Sequence, residues 1–438
     1  MMFRSTEGRT SASTFQDAVF SGLARDGGLY VPQKLPALSP ETVRGFAGDS
    51  LPQVGSKILS AFIDDISLSE LSAIVERAWT FLIPLIHLEG NLYLLELFHG
   101  PTLAFKDIGA RFLAHVVSHY VRASNQNITV VVATSGDTGS AVAHSFFNVP
   151  RVTVYVLYPS GKISPLQERQ MATLGNNIHA LEVSGTFDEC QALVKRALGD
   201  VETAGKLNLT TANSINLGRL LPQVAYYAWG VAQWERDFRH GTQPGAPVFI
   251  VPSGNFGNLV AGVYAREMGI PIDRFVAATN VNDVGGEYIR SGSLVPRSAV
   301  QTFSNAMDVG NPSNIARLRS LYAGDHERLR RTIETVCVSD EQTLNEIRLT
   351  FERTGRVVDP HTAVGLAAAR ALSGSTPCII TATAHPAKFP DVIDRALGLR
   401  IPLPQQLQEA FRRAKQSVPL APEYEAFRQI LWDAVRPL

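Results

Sequence analysis

Residues 246–269 read APVFIVPSGNFGNLVAGVYAREMG, and the fold turns on how they are read. The run VFIV is continuously apolar and β-prone, the pattern of a strand covered on both faces. It breaks into a turn rich in Gly and Asn, then resumes with apolar residues at helical spacing. Residues 128–147, ITVVVATSGDTGSAVAHSFF, repeat that design, and RVTVYVLYP (151–159) follows as the next strand, close enough for a βαβ unit. Further strands are expected at 178–183, in DRFVAAT (273–279) and near 377–383. Helices are expected over 165–174, 187–198 and 340–354, the last two opened by the capping pairs Thr186/Glu189 and Ser339/Gln342. This alternation predicts an α/β fold with mainly parallel sheets covered by helices. Ahead of it lies an α-rich module, with helical periodicity at 13–24 and 67–82 and a Pro-punctuated stretch between them.

With 438 residues the chain can bury a large core and form more than one domain. Its 40 basic and 40 acidic side chains cancel, which argues against a nucleic-acid partner or an anionic membrane surface. No apolar run approaches the length of a membrane span. The first residues lack a signal-peptide core, so a cytoplasmic location is expected. Cys190, Cys337 and Cys378 are isolated and without metal-ligand spacing, and read as buried, inert thiols.

Three stretches carry chemistry. In the turn of 252–262, Gly254, Asn255, Phe256, Gly257 and Asn258 lead from a strand into a helix, where free N–H groups and the helix dipole favour a phosphate. An ordinary strand–helix turn capped by Asn258 is the plainer alternative. In the turn of 133–141, Thr134, Ser135, Thr138 and Ser140 offer small hydroxyls to an anion, or cap their own backbone. In LFHGPTLAFKDIGARF (97–112), Lys106 stands among apolar neighbours at the start of a helix. Both burial and the dipole disfavour an ammonium ion there, as a nucleophilic lysine requires. TANSINLGRLLPQ (211–223) adds Asn213, Ser214 and Asn216 as helix caps and Arg219 as a guanidinium suited to phosphate. Thr383 and His385 end a strand in TATAHPAKFP (381–390). The sequence lacks GxxxxGK[ST], HExxH, GxSxG and dinucleotide GxGxxG signatures.

Taken together, ELFHGPTLAFKDIGARF, ATSGDTGSA, VPSGNFGNLVAG and TAHPAKF resemble the threonine synthase family, pyridoxal-phosphate enzymes of fold type II. SGLARDGGLYVP, AATNVND and NAMDVGNPSN extend the resemblance over most of the chain. The resemblance implies that Lys106 bonds the cofactor covalently. Gly254, Asn255, Phe256, Gly257 and Asn258 then hold its phosphate, and Thr383 faces its pyridine nitrogen. It further implies that Thr134, Ser135, Asp137 and Thr138 receive the substrate carboxylate and face the ring, while Asn213, Ser214 and Arg219 grip the substrate phosphate. The implied reaction converts O-phospho-L-homoserine and water to L-threonine and phosphate. A degradative phospho-lyase and a non-catalytic sensor are the competing expectations. The implied layout is an N-terminal module (1–87), a catalytic region (88–400) of two α/β subdomains with the cofactor between them, and a helical tail (401–438). Monomer and homodimer are both open. Two local departures stand out: Ser-Thr-Glu-Gly at 5–8, where the family often has Ser-Thr-Arg-Gly, and VGGEYIRSG after NVND, where an Arg-aromatic pair is usual.

Overall fold

The computed structural model describes residues 1–239, 245–372 and 374–433. Two sheets organise it. The larger has six strands in the order Ile333–Cys337, Phe275–Thr279, Val248–Pro252, Cys378–Ala382, Leu92–Glu96 and Leu85–Glu89. All its pairings are parallel except that of the last two strands. The smaller, fully parallel sheet runs Ser417–Leu420, Ile178–Val183, Val152–Pro159, Ile128–Ala133 and Leu209–Thr211. The central strands of both sheets are buried along nearly their whole length, as helices on both faces require.

The expected strands and helices of the α/β region form close to their predicted limits. Thr186 and Glu189 cap Phe187–Gly199, and Ser339 and Gln342 cap Asp340–Thr354, both as full capping boxes. The N-terminal module departs from expectation. Its Pro-punctuated stretch holds two helices, Pro40–Gly45 and Leu51–Ser60. Pro40 and Pro52 sit at their first turns, where a missing N–H costs nothing, and Ser39 and Ser50 cap them. The tail is not purely helical either. Ser417–Leu420 adds an edge strand beside Ile178–Val183, and its Pro419 is tolerated because it lies at the sheet edge. The strand Leu85–Glu89 runs across the expected boundary at residue 87 and belongs to the large sheet. Of the cysteines, Cys190 and Cys378 are buried but Cys337 is exposed, against expectation.

One apolar core joins the N-terminal module to both sheets. It runs from Phe15, Val54 and Ile74 through Phe112 and Val116 to Val130 on one sheet and Phe249 on the other. The helix Lys106–Ser124 contributes an almost entirely buried side to it. Its first residue is thereby fixed between the C-terminal ends of the two parallel sheets, where open α/β folds place their ligands.

Candidate active site

The segment before Lys106 is pinned from two directions. Leu103 and Phe105 pair with the end of the neighbouring strand: Phe105 N–H donates to Thr383 C=O (2.8 Å) and His385 N–H to Leu103 C=O (3.0 Å). Leu103 adopts φ 57°, an unfavourable conformation for a branched side chain that the surrounding bonds must hold. From the helix side, the buried Asp107 carboxylate accepts Thr102 N–H (2.8 Å) and Thr102 Oγ1–H (2.7 Å). Burial pushes the Asp107 carboxyl up to about 6.

Lys106 thus enters a cleft that brings together residues from all four candidate segments: Ser135, Asp137 and Thr138; Asn213, Ser214 and Arg219; residues 254–258; and Thr383. Its side chain is only 15% exposed. Burial is the largest influence on its amine, Asp137 opposes it, and Lys388 and Arg219 reinforce it, so that the amine is drawn down to about 8. The expected direction is therefore met, and desolvation dominates it.

The turn of 252–262 presents backbone rather than side chains. Its first helical hydrogen bond is Val260 N–H to Phe256 C=O (3.0 Å), and among the described residues the N–H groups of 254–259 find no acceptor. Phe256 takes the left-handed conformation (φ 61°) and buries its ring, which packs where a Cβ on Gly285 would stand. The departure VGGEYIRSG therefore seats this ring. A Cβ on Gly254 would lie 2.7 Å from Met307 Cα, so only glycine fits beneath that segment. Asn258 does not cap the helix: its Nδ2 donates to Pro252 C=O (2.8 Å). Asn255 braces the turn through Nδ2–H to Ser214 Oγ (2.6 Å) and through Oδ1, which accepts Ser313 N–H (2.6 Å).

In the second turn, Ser135 and Thr138 line the cleft, and neither hydroxyl has a partner among the described residues. Thr134 and Asp137 are used differently from expectation. Thr134 Oγ1 accepts the N–H groups of Gly136 (2.9 Å) and Gly139 (2.8 Å), so it shapes its own loop and leaves the cleft to its neighbours. The Asp137 carboxylate turns toward two amines, Lys388 Nζ at 2.6 Å and Lys106 Nζ at 3.9 Å.

Asn213 is also committed to structure. Its Nδ2 donates to Ala133 C=O (2.7 Å) and its Oδ1 accepts Ala133 N–H (3.1 Å), clasping two adjacent strand ends. Ser214 Oγ accepts from Asn255 and Asn314, which leaves its proton for a ligand. Arg219 is 3% exposed and in no ion pair among the described residues. One of its amino groups donates to Ala212 C=O (2.5 Å), and its Nε has no partner. A buried, uncompensated guanidinium beside a cleft is the arrangement an anionic ligand completes.

Sequence reasoning passed over His361 and Asp359, and it gave no site role to Lys388 or to residues 304–309, although Lys388 and residues 305–309 lie in stretches that carry the family resemblance. His361 Nδ1 donates to Asp359 Oδ2 (2.7 Å), and its Nε2 accepts Ala306 N–H (3.2 Å). That pair of bonds fixes the tautomer and moors the segment that carries Ala306, Met307 and Val309 over the cleft. The Asp-Pro-His run shows only a helix start in sequence, since Asp359 also caps Pro360–Arg370. Glu7, the N-terminal departure, does not line the cleft.

Residues 78–382 match the family described as pyridoxal-phosphate dependent enzyme, and the chain belongs to that class. Residues 2–79 match the threonine synthase N terminus and residues 362–431 the threonine synthase C-terminal region. Threonine synthase of Haemophilus influenzae is 44% identical over 398 residues, 90% of this chain and 91% of the relative. The crystal structure of threonine synthase from Escherichia coli superposes with a TM-score of 0.93 at 40% identity, covering 99% and 100% of the two chains. The PLP-bound threonine synthase from Brucella melitensis gives 0.90 at 35% identity, with both chains fully covered. The chain is a member of the threonine synthase family. Its cleft fits the family's cofactor on its own terms: a turn of unspent amides for a phosphate, a buried amine for an aldehyde, and a Thr383 hydroxyl that lines the same cleft and has no partner among the described residues.

Proposed function

We propose that this chain converts O-phospho-L-homoserine and water to L-threonine and phosphate, using pyridoxal phosphate held at Lys106. The carrying observation is a buried amine drawn down to about 8 in the same cleft as a run of free backbone N–H groups. The N–H groups of residues 254–258 would hold the cofactor phosphate, and Thr383 would face its ring nitrogen. Bound there, the cofactor supplies an electron sink for carbanion chemistry at the substrate. Lys106 would take and return protons at the substrate Cα and Cβ, a task suited to an amine whose pKa lies near the working pH. Ser135 and Thr138 donate to the substrate carboxylate. Arg219 and Ser214 hold the phosphate as charge builds on it during departure. Thr134, Asp137 and Asn213 support these groups from behind. A small-molecule substrate and a cytoplasmic location accompany this reading.

The test is to incubate the purified chain with O-phosphohomoserine and identify the product. L-Threonine and phosphate are expected, and Lys106→Ala should lose both turnover and the visible absorption of bound cofactor. An oxo acid with ammonia as product, or turnover retained in Lys106→Ala, would overturn the reading.

A further inference from the structure

We propose that Lys388 is a positioning residue of the catalytic centre: it is the resident counter-ion of Asp137, and by neutralising that carboxylate it leaves the Lys106 amine free to work without a proton. This inference rests on Lys106 being the lysine that takes the cofactor.

The geometry is that of one carboxylate between two amines. Lys388 is fully buried, and its Nζ lies 2.6 Å from Asp137 Oδ1 and donates to Thr102 C=O at 2.9 Å. Gln167 Nε2 donates to the same oxygen of Asp137 at 3.0 Å. The other oxygen of Asp137 faces Lys106 at 3.9 Å, beyond hydrogen-bond range. The contest is thus decided in favour of Lys388, which holds the carboxylate at contact distance while Lys106 stands one step off. The arrangement has a clear physical cost. Two ions are buried where an apolar pair of similar volume is often as stable or more so. A role in setting the charge of the third group accounts for that cost.

The other charges around Lys106 do not replace Lys388. Arg219, packed against the same helix, repels a proton on Lys106, while Asp359 attracts it from farther away. Asp359 is itself engaged by His361 and by the N–H and hydroxyl of Thr362. Asp107 is turned into Thr102. Asp137 is therefore the one nearby carboxylate able to claim a proton on Lys106, and Lys388 is what satisfies it. Because Lys388 also grips Thr102 C=O, it ties the turn before Lys106 to the loop of Asp137. Those loops are otherwise far apart in the chain.

The experiment uses the full chain supplied with pyridoxal phosphate. The visible absorption is titrated with pH, and the midpoint reports protonation at the Lys106 nitrogen. Replacing Lys388 by Met should raise that midpoint by about one unit or more, since an unshared carboxylate within 4 Å favours the charged form. Lys388→Arg, which keeps the positive charge, should restore it toward the parent value. Adding Asp137→Asn to Lys388→Met should cancel the rise. A soluble, coloured Lys388→Met protein with an unmoved midpoint would show that Lys388 is only structural and overturn the proposal. If Lys388→Met does not fold, Asp137→Asn alone carries the test. Its midpoint should fall, and an unmoved one refutes the coupling. A parent chain with no visible band, or a band that survives Lys106→Ala, removes the reading of Lys106 and is distinct from either result.

Discussion

Replacing Arg219 by Met should leave stability unchanged or slightly raised while it cuts anion binding, and that contrast separates a ligand-binding arginine from a structural one. The guanidinium is buried without an ion-pair partner among the described residues, and burial draws it down to about 10. That fall corresponds to roughly 3 kcal/mol against the charged form. Removing the charge relieves this penalty. It also removes the charge-assisted bond to Ala212 C=O, worth about 1.5–3 kcal/mol. The balance lies between no change and a gain of about 1.5 kcal/mol, equivalent to a rise of at most about 2 °C in Tm for a chain of this length. Binding falls instead. Two charge-assisted hydrogen bonds to a phosphate contribute about 1.5–3 kcal/mol each, so kcat/KM should fall by roughly 10²–10⁴, with inhibition by inorganic phosphate weakened in parallel. Cofactor absorption should persist, because the cofactor phosphate is assigned to the amides of residues 254–258. The assays are a thermal melt of the ligand-free chain, steady-state kinetics and a phosphate inhibition series. A variant that melts lower and keeps its phosphate affinity would refute the reasoning and leave Arg219 as a clasp for Ala212.

Two further predictions follow from the same cleft. Capture of pyridoxal phosphate by the cofactor-free chain needs the neutral Lys106 amine, so its rate should climb about tenfold per pH unit below 8 and level off above it. A rate still rising toward the ordinary lysine value of 10.5 would contradict the buried amine. The stability sign agrees: between about 8 and 10.5 the unfolded chain holds a proton that folded Lys106 does not, so this residue makes the ligand-free chain more stable as pH rises through that window. Gly254→Ala drives a methyl against Met307 Cα, and its cost of about 1–3 kcal/mol should appear mainly as a 10- to 100-fold rise in the cofactor dissociation constant, measured by absorbance titration. Unchanged cofactor affinity would mean the turn does not hold the phosphate.

The local parts of this cleft were legible in sequence because their physics is local. Thr186 and Glu189 cap a helix three residues away, and glycines mark the turns in which a backbone must approach a ligand. Lys106 stands out because its apolar neighbours are its immediate neighbours. What was not legible depends on distance in the chain. Asp137 looked like part of a hydroxyl-rich anion loop, but its partner Lys388 comes 251 residues later and no pattern links them. Asn213 read as a helix cap until the strand end at Ala133, 80 residues earlier, was seen to occupy both ends of its amide. Thr134, which bonds its own loop, was undecided for a different reason. A hydroxyl in a tight turn can face ligand or backbone, and only the turn's geometry decides. The two helices at 40–45 and 51–60 were hidden by prolines that read as interruptions, although a proline in the first turn marks a beginning.

The charge of the cleft explains why composition could say so little about the substrate. Forty positive and forty negative side chains give a chain without net charge, which correctly argues against an extended polyanion. Inside the cleft the balance is different. Lys388 and Arg219 bring two buried cations; Asp137 pairs with Lys388, and Arg219 has no ion pair among the described residues. Asp107, pushed up to about 6 by burial, keeps its charge near neutral pH but is turned into Thr102, and Asp359 is engaged by His361. With Lys106 drawn toward the neutral amine, the surplus comes from Arg219 and from the partial positive charge of the helix that begins at Gly257. An anion bound there meets donors that have no other use. The same surplus keeps a proton off Lys106, so anion binding and proton transfer draw on a single field. A substrate carrying its leaving group as a phosphate is therefore suited to this cleft twice over. It satisfies Arg219 on arrival, and while it occupies that charge it makes Lys106 a stronger base for the carbons it must deprotonate.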